Sequence, residues 1–272
     1  MILTGNSWRL NMETNKENKL EDKKQDNNIN NSKVDILAVG AHPDDVEMFM
    51  GGTLLKMKAM GRKTAVCDLT RGEAGTYGTP ETREAELREA TRMLNLDARI
   101  VLDIPDGGVR NTEENRLKVI EVIRKLQPEL VFSFTDRPMR HPDHFHCGRL
   151  VQESCYLAGL RKIETTSPAY RPAGFIGFPE LIFDCPGFVI DITEFFEKRQ
   201  EIIRCFDTQV IAPGGDDSQT KTFIRSNRFW EIQEARAGMA GAFINVKYGE
   251  PFYSDKPPRI IDPIDAFENK LR

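Results

Sequence analysis

Between residues 34 and 160, short apolar runs alternate with segments of helical spacing. Residues 34–40 (VDILAVG) are β-branched and mostly apolar, as a strand covered on both faces requires. Residues 47–60 follow at helical spacing and run into Gly61, a C-terminal cap. A second strand is predicted over 63–70 (KTAVCDLT), then a glycine-rich loop over 71–80 and an amphipathic helix over 81–94. A third strand over 99–102, a helix over 117–126 that stops before Pro128, a fourth strand over 129–134 and a helix from about Asp143 extend the alternation.

Beyond Gly159 the pattern loosens. Residues 175–178, 180–184 and 188–192 read as shorter strands, with a Pro-Gly turn at 186–187, and residues 194–206 and 227–240 as helices. Strands alternating with helices imply a parallel sheet with right-handed crossovers. The fold class expected is therefore α/β: a Rossmann-like, mostly parallel sheet flanked by helices, with a smaller β-rich C-terminal portion. Residues 1–33 stand apart, because they are Asn-rich, highly charged and nearly free of apolar residues after Leu10. Such a stretch buries too little to offset its ordering entropy, so it is expected to be a disordered tail. One domain is expected over 34–272, with a core over 34–160 and a portion over 161–272 that walls the pocket; the last twenty residues read as an irregular arm.

Composition narrows the function. The chain has 272 residues and a formal net charge of −4, which opposes a role built on nucleic acid or an anionic membrane. No apolar run approaches the ~20 residues of a membrane span, and no signal-like apolar stretch is seen at the N-terminus. Five scattered cysteines without a CxxC pair read as reduced thiols, and a cytoplasmic location is the expectation.

Histidine carries the chemistry. All four histidines fall in two segments, His42 in AHPDDVE and His141, His144 and His146 in HPDHFH, each after a predicted strand and before a predicted helix. In an open α/β sheet such loops meet beyond the carboxyl ends of the strands, where ligands bind. A mixture of imidazole and carboxylate suits zinc with a position left open for water. Taken singly, either segment is ordinary turn chemistry, with Pro fixing φ and Asp capping a helix. Together they hold every histidine and four carboxylates, Asp44, Asp45, Glu47 and Asp143. His144 and His146 are two apart on a helix and point roughly 200° apart, so one ion cannot easily take both. His144 is the better ligand, and His146 reads as a polar surface residue. Adjacent Asp44 and Asp45 likewise divide, one on metal and one facing water.

These residues resemble the LmbE-like (PIG-L) family of zinc-dependent N-deacetylases. Further pieces are similar to the bacillithiol-pathway branch that deacetylates N-acetylglucosaminyl malate: LTRGEAGTYGTPETR (69–83), LDIPDG (102–107), FVIDIT (188–193), 207–209 and NVKYGEPF (245–252). The resemblance covers about residues 34–255. It implies His42, Asp45 and His144 as ligands of Zn2+ and Asp44 as general base. It implies His141 as the group that stabilises the tetrahedral intermediate or protonates the leaving amine, with Asp143 orienting it, and Arg83 as a substrate contact. It also allows a homo-oligomer. The chemistry is coherent: hydrolysis of an unreactive amide near neutral pH needs a Lewis acid that brings a water's pKa to about 7. It needs a base worth roughly 10²–10⁴-fold, and a donor for the oxyanion.

Lesser features divide between two readings. Arg83 is either a salt-bridged helix-start arginine or a fork for a substrate carboxylate such as malate. Asp106 either forms a turn or binds a substrate hydroxyl, and Tyr248 with Lys247 is expected to close the site from the C-terminal side. Phe195, Phe196 and the Met-rich helix read as core. Rival readings are a deacetylase or amidase on another N-acyl amino-sugar or thiol conjugate, and a non-catalytic nucleotide- or sugar-binding module. The loop 72–78 lacks both the GxGxxG and the P-loop spacing, which weakens the nucleotide reading.

Overall fold

The computed structural model describes residues 33–262 except 138, 139, 183, 184, 221 and 255. The tail expected over 1–33 thus lies, Lys33 apart, outside the described residues. Strands β1 (Ile36–Gly40), β2 (Thr64–Asp68), β3 (Ala98–Val101), β4 (Leu130–Phe134) and β5 (Gly174–Phe178) run parallel. β6 (Phe188–Asp191) and β7 (Gly249–Ser254) extend the same sheet, β7 lying antiparallel to both of its neighbours. The order is β3-β2-β1-β4-β5-β7-β6.

Helices α1 (Asp45–Ala59), α2 (Pro80–Leu94), α3 (Glu113–Leu126) and α4 (Pro142–Leu157) connect the parallel strands, and α5 (Phe196–Ile203) and α6 (Asn227–Ala242) follow. Every residue of β1 and β2 is buried, which accounts for the apolar character of β1 and of Ala65, Val66 and Cys67 in β2. Leu37, Val39 and Phe134 are among the fully buried side chains of this core, each worth about 1.5–3 kcal/mol of burial. From β1 the chain moves to β2 and β3 on one side, then crosses to β4 on the other. The order therefore reverses at β1/β4, and the loops leaving these two strands open into one crevice.

Local signals fix the helix ends. Thr79 and Thr82 form a reciprocal capping box at α2, with Pro80 in its first turn. The sequence-expected cap at Gly61 is present: its φ is +78° and its N–H reaches the Lys58 carbonyl.

Two expectations change. Residues 180–182 form no strand, because Glu180 turns its carboxylate inward to His144 instead of extending a ladder. The partner of β6 is not that segment but β7, to which the sequence pattern assigns no strand because Gly249 and Pro251 mask it. β7 matters for what lies above it. Helix α1 breaks at Met50 (φ −147°), freeing the amides of Gly52 and Thr53, and the buried Glu250 carboxylate accepts from both, at 3.0 and 2.7 Å. Arg199, also buried, lies 3.3 Å from Glu250 and bonds the Met48 carbonyl. The first turn of α1, which carries Asp45, Met48 and Phe49, is thereby tied to the far edge of the sheet.

Candidate functional site

β1 ends at Gly40 and the chain turns through Ala41, His42, Pro43 and Asp44 into α1. The His42 amide donates to Asp45 Oδ2 (2.7 Å), closing the turn. Asp44 takes a φ of 116°, a conformation that favours glycine. β4 ends at Phe134, and His141 caps α4 by accepting the Asp143 amide at Nδ1 (3.2 Å). One turn into α4, His144 stacks on Phe134 with ring centroids 4.1 Å apart.

These two loops meet at Asp45. His42 Nδ1 is 3.4 Å from Asp45 Oδ2, and His144 Nε2 is 3.1 Å from Asp45 Oδ1. The far nitrogen of each ring rests among carboxylates: His144 Nδ1 on Glu180 (3.1 Å), His42 Nε2 beside Asp106 (3.1 Å) and Asp143 (3.5 Å). His42 Nε2 is nevertheless buried without an aligned hydrogen bond. His42, His141 and His144 offer ring nitrogens all within 4.8 Å of one another, and so does the trio His42, Asp106 and Asp143 with its nitrogen and oxygens. Ring nitrogens and carboxylate oxygens converging in a buried place are the donor set of a divalent cation.

The electrostatics agree. Burial disfavours charge on His42, but the carboxylates of Asp106, Asp143 and Asp45 hold its pKa well above the ordinary value. Burial disfavours charge on His144 too, yet Asp45 and Glu180 raise its pKa to about 9. Asp45, although buried, is held well below the usual carboxylate range by His144 and His42. Asp44 differs from its neighbour: burial pushes it up to about 7, with the Arg83 guanidinium opposing. His141 is lowered by burial and by the positive charge of His42 and His144.

Most residues expected from the sequence line one cavity of about 570 Å³: His42, Asp44, Asp45, Arg83, Asp106, His141 and His144. Arg83 is buried, with Nη2 donating to the Pro43 carbonyl (2.8 Å) and lying 3.8 Å from Asp44 Oδ2. Its Nε and Nη1 have no hydrogen-bond partner. Asp106 is engaged by His42 and by the Ala74 amide (3.0 Å), so its carboxylate is committed to the protein.

Two placements correct the sequence reading. The Asp143 carboxylate does not brace the His141 ring. It accepts from the Gly107 amide (2.8 Å) and faces His42 and Arg110, because Asp143 lies inside the helix that His141 only caps. Tyr248 does not close the cavity, since its ring stacks on Phe196 (3.7 Å) within an apolar cluster and its hydroxyl donates to Glu234 (2.9 Å). His146 is half-buried beside Phe145 and outside the lining, as its helix angle required.

Sequence reasoning missed Glu180, Gln209, Gln233 and Arg236, which reach the cavity from the C-terminal half. The signals were an i, i+3, i+4, i+7 stripe of Phe229, Ile232, Gln233 and Arg236 on α6 and the place of Gln209 in the 207–209 piece of the resemblance.

A buried His/Asp constellation at the switch point of an α/β sheet is the class of site seen here. Residues 37–155 match the family model described as PIG-L, GlcNAc-PI de-N-acetylase. The diacetylchitobiose deacetylase of Thermococcus kodakarensis is 28% identical over 64% of this chain and 69% of its own. A probable N-acetyl-alpha-D-glucosaminyl L-malate deacetylase 2 of Bacillus anthracis is 26% identical over 64% and 80%. Among solved structures, the conserved protein TT1542 of Thermus thermophilus superposes with a TM-score of 0.75 at 36% identity, covering 84% of this chain and 97% of that one. The chain belongs to the PIG-L family of deacetylases. Among the described residues no helix is long and apolar enough to cross a membrane.

Proposed function

We propose that this chain hydrolyses the N-acetyl amide of a GlcNAc-type amino-sugar, N-acetylglucosaminyl malate in bacillithiol biosynthesis being the substrate favoured. The observation that carries this reading is Asp45 placed between His42 and His144, with Asp44 beside it in the same cavity. His42, Asp45 and His144 would hold the metal, zinc by the donor set. The carboxylates of Asp106 and Glu180 act behind the two rings, as partners of metal-binding histidines commonly do. When bound, a divalent cation supplies Lewis acidity to a water and to the acyl carbonyl.

The chain's own residues do the rest. Asp44 accepts the proton of the attacking water, and its burial sets its basicity in the range where a base is effective near neutrality. The water oxygen bonds to the acyl carbon, the C–N bond breaks, the nitrogen takes the proton, and acetate leaves. His141 accepts the Asp143 amide at Nδ1, so the neutral ring carries its proton on Nε2 and offers a donor to the carbonyl oxygen or the departing amine. Arg83, which lines the cavity with hydrogen-bonding capacity left at Nε and Nη1, serves as a contact for a substrate anion.

The test is acetate release from N-acetylglucosaminyl malate, with metal content measured on the same sample and a chelated control beside it. Chelator-sensitive release supports the reading. Bound metal without release redirects it to another N-acyl amino-sugar. Neither metal nor release on any N-acetylated sugar overturns it.

A further inference from the structure

Arg236 stands at the inner end of the α6 stripe, more than nine-tenths buried and lining the cavity. Its Nη2 donates to the Pro179 carbonyl (2.8 Å), while Nε is buried with no partner. Its guanidinium lies 4.9 Å over the Phe49 ring, which in turn packs edge-on to His144. Among the described residues no carboxylate forms an ion pair with it. Glu250 is taken by Arg199 and two amides, and Glu180 by His144 and Arg140. A buried cation without a counter-ion is costly, and a fold retains one where a ligand completes it. Arg83 occupies the Asp44 end of the same cavity and has Asp44 and Glu86 for company. Among the described residues, Arg236 at the His144 end has none.

We propose that Arg236 binds an anionic oxygen group, carboxylate or phosphate, on the part of the substrate remote from the scissile amide, with Phe229 and Ile232 bordering that part. This rests on the deacetylase reading of the site and deepens it, for it makes the substrate an amino-sugar with an anionic substituent. Burial and the charge of Arg199 push the pKa of Arg236 down to about 9, and the more distant Glu250 and Glu180 offset this only in part.

The full-length, metal-loaded chain and its R236Q and R236K variants are assayed on three substrates. These are N-acetylglucosaminyl malate, N-acetylglucosamine 1-phosphate and neutral methyl N-acetylglucosaminide. R236Q is expected to lower the ratio of kcat/KM for an anionic substrate to that for the neutral one by about tenfold to hundredfold, mainly through KM. R236K is expected to recover part of the loss. The substrate whose ratio falls tells carboxylate from phosphate, and equal losses on all three overturn the proposal. Calorimetry with malate and with inorganic phosphate reads the subsite without turnover. At least tenfold weaker binding to R236Q supports the proposal; equal affinity, or no binding of either anion to the wild type, overturns it. Failure of the wild type to cleave any of the three would sink the deacetylase reading while leaving calorimetry to judge Arg236.

Discussion

Arg83 Nη2 lies 3.8 Å from Asp44 Oδ2, and the two side chains are buried together against the Pro43 carbonyl. Asp44 is thus a buried carboxylate with the Arg83 guanidinium beside it, carried on a backbone at φ 116° and lining the cavity. Asp44→Asn keeps the shape and removes the base. Turnover is expected to fall about 10²–10⁴-fold while metal content stays near the wild-type level. Steady-state kinetics and metal analysis on one preparation check it, and an active Asn variant would exclude Asp44 as base.

The two histidines of α4 are expected to part company in metal binding. His144→Ala removes a ring held between Asp45 and Glu180, so metal affinity is expected to collapse. His146→Ala touches neither carboxylate and should leave affinity within about twofold of wild type, less than the 10–100-fold that loss of a supporting partner brings. Glu180→Gln is expected to fall in that 10–100-fold interval, because Glu180 holds the His144 ring at Nδ1, the nitrogen turned away from Asp45. Titration of the stripped protein with zinc distinguishes the three, and equal losses for His144→Ala and His146→Ala would break the assignment.

How legible this was depended on sequence distance. Strands β1 to β4 were readable as a parallel set because each is a largely apolar segment bounded by its own turn chemistry, whereas β5 was readable as a strand but not as a member of that set. His42 and His144 were readable because each sits on a strand-to-helix loop whose position the strand order dictates. Glu180 reaches the same cavity from a segment whose local pattern says nothing of it, and Arg236 from a helix whose stripe marks an inward face without telling what that face meets; their partners are His144 and the Pro179 carbonyl. Strand β7 was hidden for a related reason. Its central Glu250 is a charged residue that is buried only because the break at Met50 presents it with two free amides. Tyr248, in the adjoining motif, looked like a binding residue and is a packing one, since Phe196 lies against its ring.

Beneath the site, Arg99 bridges Glu47 (2.6 Å) and Asp68 (2.8 Å), and all three are nearly or fully buried. Removing the arginine strands two buried carboxylates. Arg99→Leu is expected to cost about 3–5 kcal/mol of stability in denaturant unfolding. Arg88→Leu breaks the exposed pair with Glu84 and should cost no more than about 1 kcal/mol. Similar losses for both would mean that the buried triad is not held by its charges.

Gly148 is where α4 comes closest to β4. A methyl group there would lie 2.4 Å from the Phe134 carbonyl oxygen and 2.6 Å from that of Thr135, both rigid backbone at the strand end. Gly148→Ala must therefore push α4 away from the sheet, and His144 rides on that helix one turn earlier. The expected outcome is a destabilisation of about 1–3 kcal/mol together with weaker zinc binding, since His144 is drawn away from Asp45. Gly238 in α6 supplies the contrast, because a methyl there meets nothing within 4 Å. Gly238→Ala should be neutral or stabilising by up to about 1 kcal/mol, the helix-propensity gain alone, with zinc affinity unchanged. Thermal melts and zinc titrations on the two variants separate a packing constraint that sets the site from the general effect of replacing glycine in a helix. If Gly148→Ala binds zinc like the wild type, the position of His144 does not depend on this contact.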